Sequence, residues 1–209
     1  MYILGIETST TTGSVAIVSE DGVIAQYSLN IEVTHSERLM STVDRVLKDT
    51  GLTIDDMEGY AAAIGPGSFT GLRIGLAAVK GLALVTGKPI AAVPTLQALA
   101  WNLPYAAHPV CPMLDARKNE VYAATYRFEG TTLVHIMAEA VLSLSLLSER
   151  ISGKTIFTGE ASHLFRKEIV NMFGNRALFA PLSAILPSAA TVAAIGMDMI
   201  KSGKQADLD

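Results

Sequence analysis

The sequence predicts an α/β protein of two similar lobes, and three observations carry that prediction. Apolar runs and turn signals read β-β-β-α-β-α-β-α through the first half of the chain, and the same order returns in the second half. At 209 residues the chain is long enough for two lobes that each bury a core. Half of the residues are hydrophobic and only 17% are charged, a balance that excludes a disordered chain.

Taken in order, Tyr2–Glu7, Ser14–Ser19 and Val23–Asn30 read as strands. Thr8 to Gly13 is a hydroxyl-rich turn, and Glu20-Asp21-Gly22 is a hairpin signal. His35 to Thr50 follows as a helix with Leu39, Met40, Val43, Val46 and Leu47 on one stripe. Thr34 is its N-cap with Glu37 as capping-box partner, and Gly51 ends it. Tyr60–Ile64 is a strand, Gly65 to Gly75 leads into a helix running to about Val85, Ile90–Val93 is a short strand, and Pro94 begins a helix. Pro104 to Pro109 is a connection, which sets the lobes at residues 1–103 and 104–209. Beyond it Val110–Leu114, Glu120–Phe128 and Leu133–Met137 are strands, with Glu129-Gly130 as a hairpin turn. Leu144–Ile151 (helix), Thr155–Thr158 (strand), His163–Met172 (helix), Leu178–Ala180 (strand) and Ser188–Lys201 (helix) complete the second, more abbreviated lobe. The last helix is expected to return to the first lobe.

The stretch G-P-G-S-F-T-G-L-R-I-G at Gly65–Gly75 carries the most information. A strand that runs through glycines into a helix leaves unpaired N–H groups able to cradle an anion or a neighbouring backbone. Gly65 and Gly67 supply the torsions, Pro66 stiffens the turn, and Ser68 and Thr70 add hydroxyls. The spacing excludes a phosphate P-loop, since no Gly-Lys-Ser/Thr follows, and it lacks the later acidic residue of a dinucleotide fingerprint. Gly71, Gly75, Ala78 and Gly81 form a small-residue face. That face suits either a buried core helix or a protein–protein surface. Arg73 and Lys80 on the same helix argue against a membrane span.

The remaining composition narrows the function. A net charge of −4 provides no basic field to hold a phosphate backbone. Met1 leads directly into an apolar run with no basic segment or cleavage site, so a cytoplasmic protein is expected. Cys111, the single cysteine, reads as a buried apolar thiol. His35, His108, His135 and His163 are scattered with no ligand spacing, so no metal site is expected.

Four blocks, I-L-G-I-E-T-S-T at Ile3–Thr10, His35-Ser36 with Leu39, Gly65–Gly75, and D-A-R-K-N-E-V-Y at Asp115–Tyr122, together resemble the bacterial TsaB (YeaZ) family. The resemblance implies a duplicated actin-like (ASKHA, RNase H-like) fold. It also implies a role in placing a threonylcarbamoyl group on the adenosine beside the anticodon of tRNA. In that system a TsaB protein is a scaffold that binds the catalytic homologue TsaD and, with TsaE, forms the transferring complex. The threonylcarbamoyl adenylate consumed there comes from another enzyme. Implied further are a homodimer when alone, contact with tRNA only through the complex, no membrane, no cofactor in the isolated chain, and a nucleotide possible at the interface shared with TsaD.

The same resemblance argues for a non-catalytic member. The catalytic homologue carries a His-x-x-x-His pair whose positions fall here on Thr95 and Leu99. Glu7-Thr8-Ser9 only partly suits a phosphate, and Thr158-Gly159-Glu160-Ala161 sets a carboxylate where a second glycine would meet adenosine, which argues against independent ATP hydrolysis. An ATPase or small-molecule kinase of the actin-like fold is the alternative. No residue pattern supports a protease reading.

The partner face is expected on the helices His35–Thr50 and Gly71–Val85, through His35, Ser36, Leu39, Val43, Gly71, Arg73, Gly75 and Ala78. A bulky residue at Gly75 is expected to weaken docking while leaving the monomer folded. Asp115, Arg117 and Glu120 form a charged cluster, read as a salt-bridge network fixing the lobe junction in preference to a ligand site. By the same resemblance, relatives often continue into a Pro-x-Tyr-x-Arg tail where this chain stops at Ala206-Asp207-Leu208-Asp209, either naturally short or trimmed.

Overall fold

The computed structural model describes residues 1–30 and 35–206, without the side chains at 29, 30 and 35–37. The expected Thr34–Glu37 capping box, the side chains of His35 and Ser36, and residues 207–209 therefore lie outside the described residues. The chain divides into unit 1, Met1–Thr95 with Ser188–Asp209, and unit 2, Leu96–Pro187.

Unit 1 contains β1 (Ile3–Glu7), β2 (Thr12–Ser19), β3 (Gly22–Asn30), α1 (His35–Thr50), β4 (Gly59–Ala63), α2 (Phe69–Thr86) and β5 (Ile90–Val93). Its sheet order is β3-β2-β1-β4-β5, antiparallel among the first three strands and parallel from β1 through β4 to β5. Two faces of that sheet are covered because the strands bury residues on both sides. On one face Leu4, Ile6, Val15 and Ile17 meet Leu39, Val43 and Val46 of α1 and Val79, Leu82 and Ala83 of α2. On the other, Ala16, Gly5, Ala61 and Ala91 stand in register as a row of small residues. That row admits a closely packed helix, α7 (Ala189–Lys201). A side chain at Gly5 would strike Ala189 and Ala193, and one at Gly196 would strike Ala61. Ser14 Oγ accepts the Ala189 N–H at 3.0 Å and fixes the helix entry.

Unit 2 contains α3 (Thr95–Trp101, beginning at the last residue of unit 1), β6 (Val110–Arg117), β7 (Glu120–Glu129), β8 (Thr132–Ser143), α4 (Leu144–Arg150), β9 (Thr155–Thr158), α5 (Glu160–Leu164), α6 (Arg166–Phe173) and β10 (Ala177–Phe179). Its sheet, β8-β7-β6-β9-β10, repeats the topology of unit 1 strand for strand, which is the duplicated two-lobe α/β architecture. α3 packs Leu96, Leu99 and Ala100 on one face against Val110, Leu114 and Tyr126. α4 to α6 cover the other face around Phe157, Ile169 and Phe173.

Two expectations are corrected. β8 runs twelve residues and not five, because register shifts opposite Ala123 to Tyr126 break the alternation by which a strand is recognised. The single helix over His163–Met172 is two helices that start at Glu160 and divide at Phe165, whose ψ of 23° departs from helix geometry.

Candidate functional site

The glycine loop is a junction in which backbone meets backbone. Gly67, at φ +151°, lies so close to Ser9 that a side chain would run into the Ser9 carbonyl. That approach lets the Ser68 N–H donate to Ser9 O at 2.6 Å, while the Thr95 N–H donates to Gly65 O at 2.8 Å. Ser68 then caps α2, its Oγ accepting the Gly71 N–H at 3.3 Å. Of the two uses open to such a loop, the Ser68 N–H serves a neighbouring strand end. Thr70 lies exposed on the first turn.

Beneath the loop is a buried polar cluster formed by the Thr8–Gly13 turn. Thr8 Oγ1 donates to Gly71 O at 2.8 Å, and the Ser9 N–H donates to Glu7 Oε1 at 2.5 Å. Glu7 is fully buried, and burial pushes its carboxyl up to about 7 against the opposing hydrogen bonds from Ser9. Glu7 Oε2, Thr12 Oγ1 and Thr95 Oγ1 are buried with no hydrogen-bond partner among the described residues.

The helix faces correct the expected partner surface. Leu39 and Val43 are 6% and 2% exposed and belong to the core of unit 1. Gly71 and Gly75 are buried, and a Cβ on Gly75 would collide with Thr8 Oγ1, so the small-residue face seats α2 on its own sheet. Ala78 is half-buried against the same core. A bulky residue at Gly75 therefore perturbs the fold itself. Of the expected interface residues with described side chains, Arg73 alone is exposed, its guanidinium 3.8 Å from the Phe69 ring centroid.

What faces outward on α2 is a stripe that the sequence reading missed, with Phe69, Leu84 and Val85 at 67%, 78% and 77% exposure and Ala77 and Gly81 between them. The signal was available: once glycines mark the sheet-facing side, residues at four-residue steps from Phe69 through Arg73 and Ala77 to Gly81 must lie opposite. By length and composition α2 could cross a membrane, but its buried side is committed to the sheet.

Thr95 and Leu99, one turn apart on α3, are both fully buried. Cys111 is likewise buried, and desolvation pushes its thiol up to about 12. Asp115, Arg117 and Glu120 do not form the expected ion-pair network. They flank the two-residue hairpin turn Lys118-Asn119, both of whose residues have positive φ, as does Arg117 before it, and Asp115 Oδ1 accepts the Arg117 N–H at 2.8 Å. No ion pair links the three among the described residues. Glu160 lies beside Asp115 and Arg117, and its carboxyl is pushed up by burial and by the Asp115 charge, against pull from the Asp115 N–H and Arg117. Sequence separation hid that neighbour, which pairing of β6 with β9 supplies. Among the described residues no three His, Cys, Asp or Glu side chains gather as a metal site.

The sequence model of TsaD, tRNA N6-adenosine threonylcarbamoyltransferase, matches residues 23–201. The tRNA threonylcarbamoyladenosine biosynthesis protein TsaB of Bacillus subtilis is 31% identical over 201 residues, 95% of this chain and 88% of that protein. The Escherichia coli protein of the same name is 36% identical over 166 residues, 76% of this chain and 71% of its own length. Among solved structures, YeaZ from Pseudomonas aeruginosa superposes with a TM-score of 0.80 at 28% identity, covering 99% of this chain and 95% of that one. A ROK hexokinase from Thermus thermophilus, at 10% identity and a TM-score of 0.53 over 97% of this chain and all of that one, shares the actin-like fold.

Proposed function

The chain belongs to the TsaB (YeaZ) family, and from that membership we infer that it serves tRNA threonylcarbamoyladenosine biosynthesis as a non-catalytic docking subunit. It acts in the cytoplasm on a partner, TsaD, built on the same fold, and the two are joined by TsaE. The tRNA is met through that complex, and alone the chain pairs with itself.

One observation carries the non-catalytic reading. The positions aligned with the catalytic homologue's histidine pair are Thr95 and Leu99, whose side chains are spent inside the protein. A hydroxyl and an isobutyl group supply no imidazole to a metal ion. Glu160 supports the same reading, because a half-buried carboxylate beside Asp115 disfavours a phosphate there. Any nucleotide in the system belongs to the interface with TsaD.

Docking is assigned to the outer stripe of α2. Three large apolar side chains held outward on one rigid helix are an unusual exposure. Arg73 stacked on Phe69 gives the stripe a charged end.

Reconstitution tests the proposal. Purified TsaD, TsaE, tRNA and threonylcarbamoyl adenylate are expected to form modified tRNA efficiently only when this chain is present. Transfer by the chain alone, or full transfer without it, overturns the reading.

A further inference from the structure

The charge of the protein is unevenly divided. Unit 1 carries eight Lys and Arg against thirteen Asp and Glu, whereas unit 2 carries eight against seven. Within unit 2 the cations gather late: between residues 150 and 176 there are five, Arg150, Lys154, Arg166, Lys167 and Arg176, against Glu160 and Glu168.

Three of the five converge at one pole. Parallel pairing of Thr155 with Ala177 puts the preceding residues, Lys154 and Arg176, side by side where β9 and β10 begin. Arg176 Nη1 donates to Ile151 O at 3.5 Å and Nε to Phe173 O at 3.3 Å, which brings in the end of α4 and therefore Arg150. The Arg176 guanidinium also lies over the Phe173 ring, 5.5 Å from its centroid. Its charge is thus held in place before any ligand arrives.

None of the three pairs with a carboxylate among the described residues, whereas Arg45, Lys48, Arg127 and Lys201 each do. Glu149, the nearest acid in sequence, is exposed on α4 and joined to none of them. The plainer account is that Arg150 and Arg176 offset the negative ends of α4 and α6. It does not account for Lys154, which precedes a strand and has no helix end to serve.

We propose that Arg150, Lys154 and Arg176 form a contact for the phosphate backbone of the tRNA once the chain is assembled with its partners. This inference rests on the function proposed above. A chain of net charge −4 does not hold RNA alone, but a small fixed basic pole adds to a grip supplied mainly by another subunit. Such contacts carry no sequence information and register the RNA by its backbone.

The test uses the complex with TsaD and TsaE and the double variant Arg150→Gln/Lys154→Gln, which leaves Arg176 and its carbonyl bonds untouched. Binding of labelled tRNA is measured from 50 to 300 mM KCl. The expected result is about tenfold weaker binding near 100 mM and a log–log salt slope shallower by about one to two, at unchanged melting temperature. The same two-charge loss at Lys88 and Lys204 of unit 1 is expected to leave the slope alone. An unchanged affinity and slope in the first variant overturns the proposal, as does a lowered melting temperature with unaltered binding, which would identify helix-end compensation only. A wild-type complex that takes up no tRNA overturns instead the function on which the proposal rests.

Discussion

Replacing Glu7 by glutamine isolates the cost of a buried acid under the glycine loop. The carboxyl is fully buried, and its pKa stands at about 7 in the folded protein against 4.5 for the free group. A raised carboxyl pKa means the folded state keeps its proton longer than the unfolded chain. The associated stability is whole below pH 4.5, falls as the pH climbs, and is lost once it passes about 7. At about 1.4 kcal/mol per unit of pKa the full loss is about 3 to 4 kcal/mol, and most of it falls between pH 5 and 8. Glutamine is neutral throughout and retains an oxygen for the Ser9 N–H, which now meets Glu7 Oε1 at 2.5 Å. Urea unfolding of both proteins at pH 5 and pH 8 measures the difference. The variant is expected to be the more stable at pH 8 by about 2 to 3 kcal/mol and nearly level with the parent at pH 5. Parallel stability–pH curves for the two proteins would refute the account.

Further outcomes are open to direct measurement. Leu84→Asp alters a side chain that is 78% exposed, so the melting temperature should hold within a degree or two while capture of TsaD is lost; retained capture would remove the outer stripe as the docking face. Gly75→Val should lower stability by about 2 kcal/mol or more in thermal unfolding, because the new side chain must displace Thr8 and its bond to Gly71 O. Lys118→Gly should gain about 1 kcal/mol, since Lys118 holds a left-handed conformation at φ +51° that glycine adopts without strain. Cys111 should resist a thiol reagent at pH 8 in the native protein and react fully in urea, as a thiol pushed up to about 12 and shut from solvent provides almost no thiolate. Rapid native labelling would contradict that burial.

The duplicated order was legible because period-two strands, turn dipeptides and capping signals are local properties, and Gly22, Gly51 and Gly130 do stand at positive φ where one element gives way to the next. β8 escaped that reading because its bulges are set by pairing with β7. The small-residue face of α2 was recognised as a place of close approach, yet nothing local says what approaches. Thr8 and Ile6 do so, from a strand more than sixty residues earlier. The same holds for Asp115, whose neighbour Glu160 arrives through strand pairing across the sheet and not through the hairpin that carries Glu120.

Composition and periodicity by themselves determined the α/β class, the repeated element order, the glycine junction and the buried thiol, since each follows from side-chain type and spacing along the chain. Only the tertiary structure decided which side of α2 faces water, that Glu7 is sealed from solvent, and that three cations share one pole of unit 2. Those depend on which distant segment covers a surface. Burial, and with it charge state and availability to a partner, is a property of packed neighbours that no stretch of sequence contains.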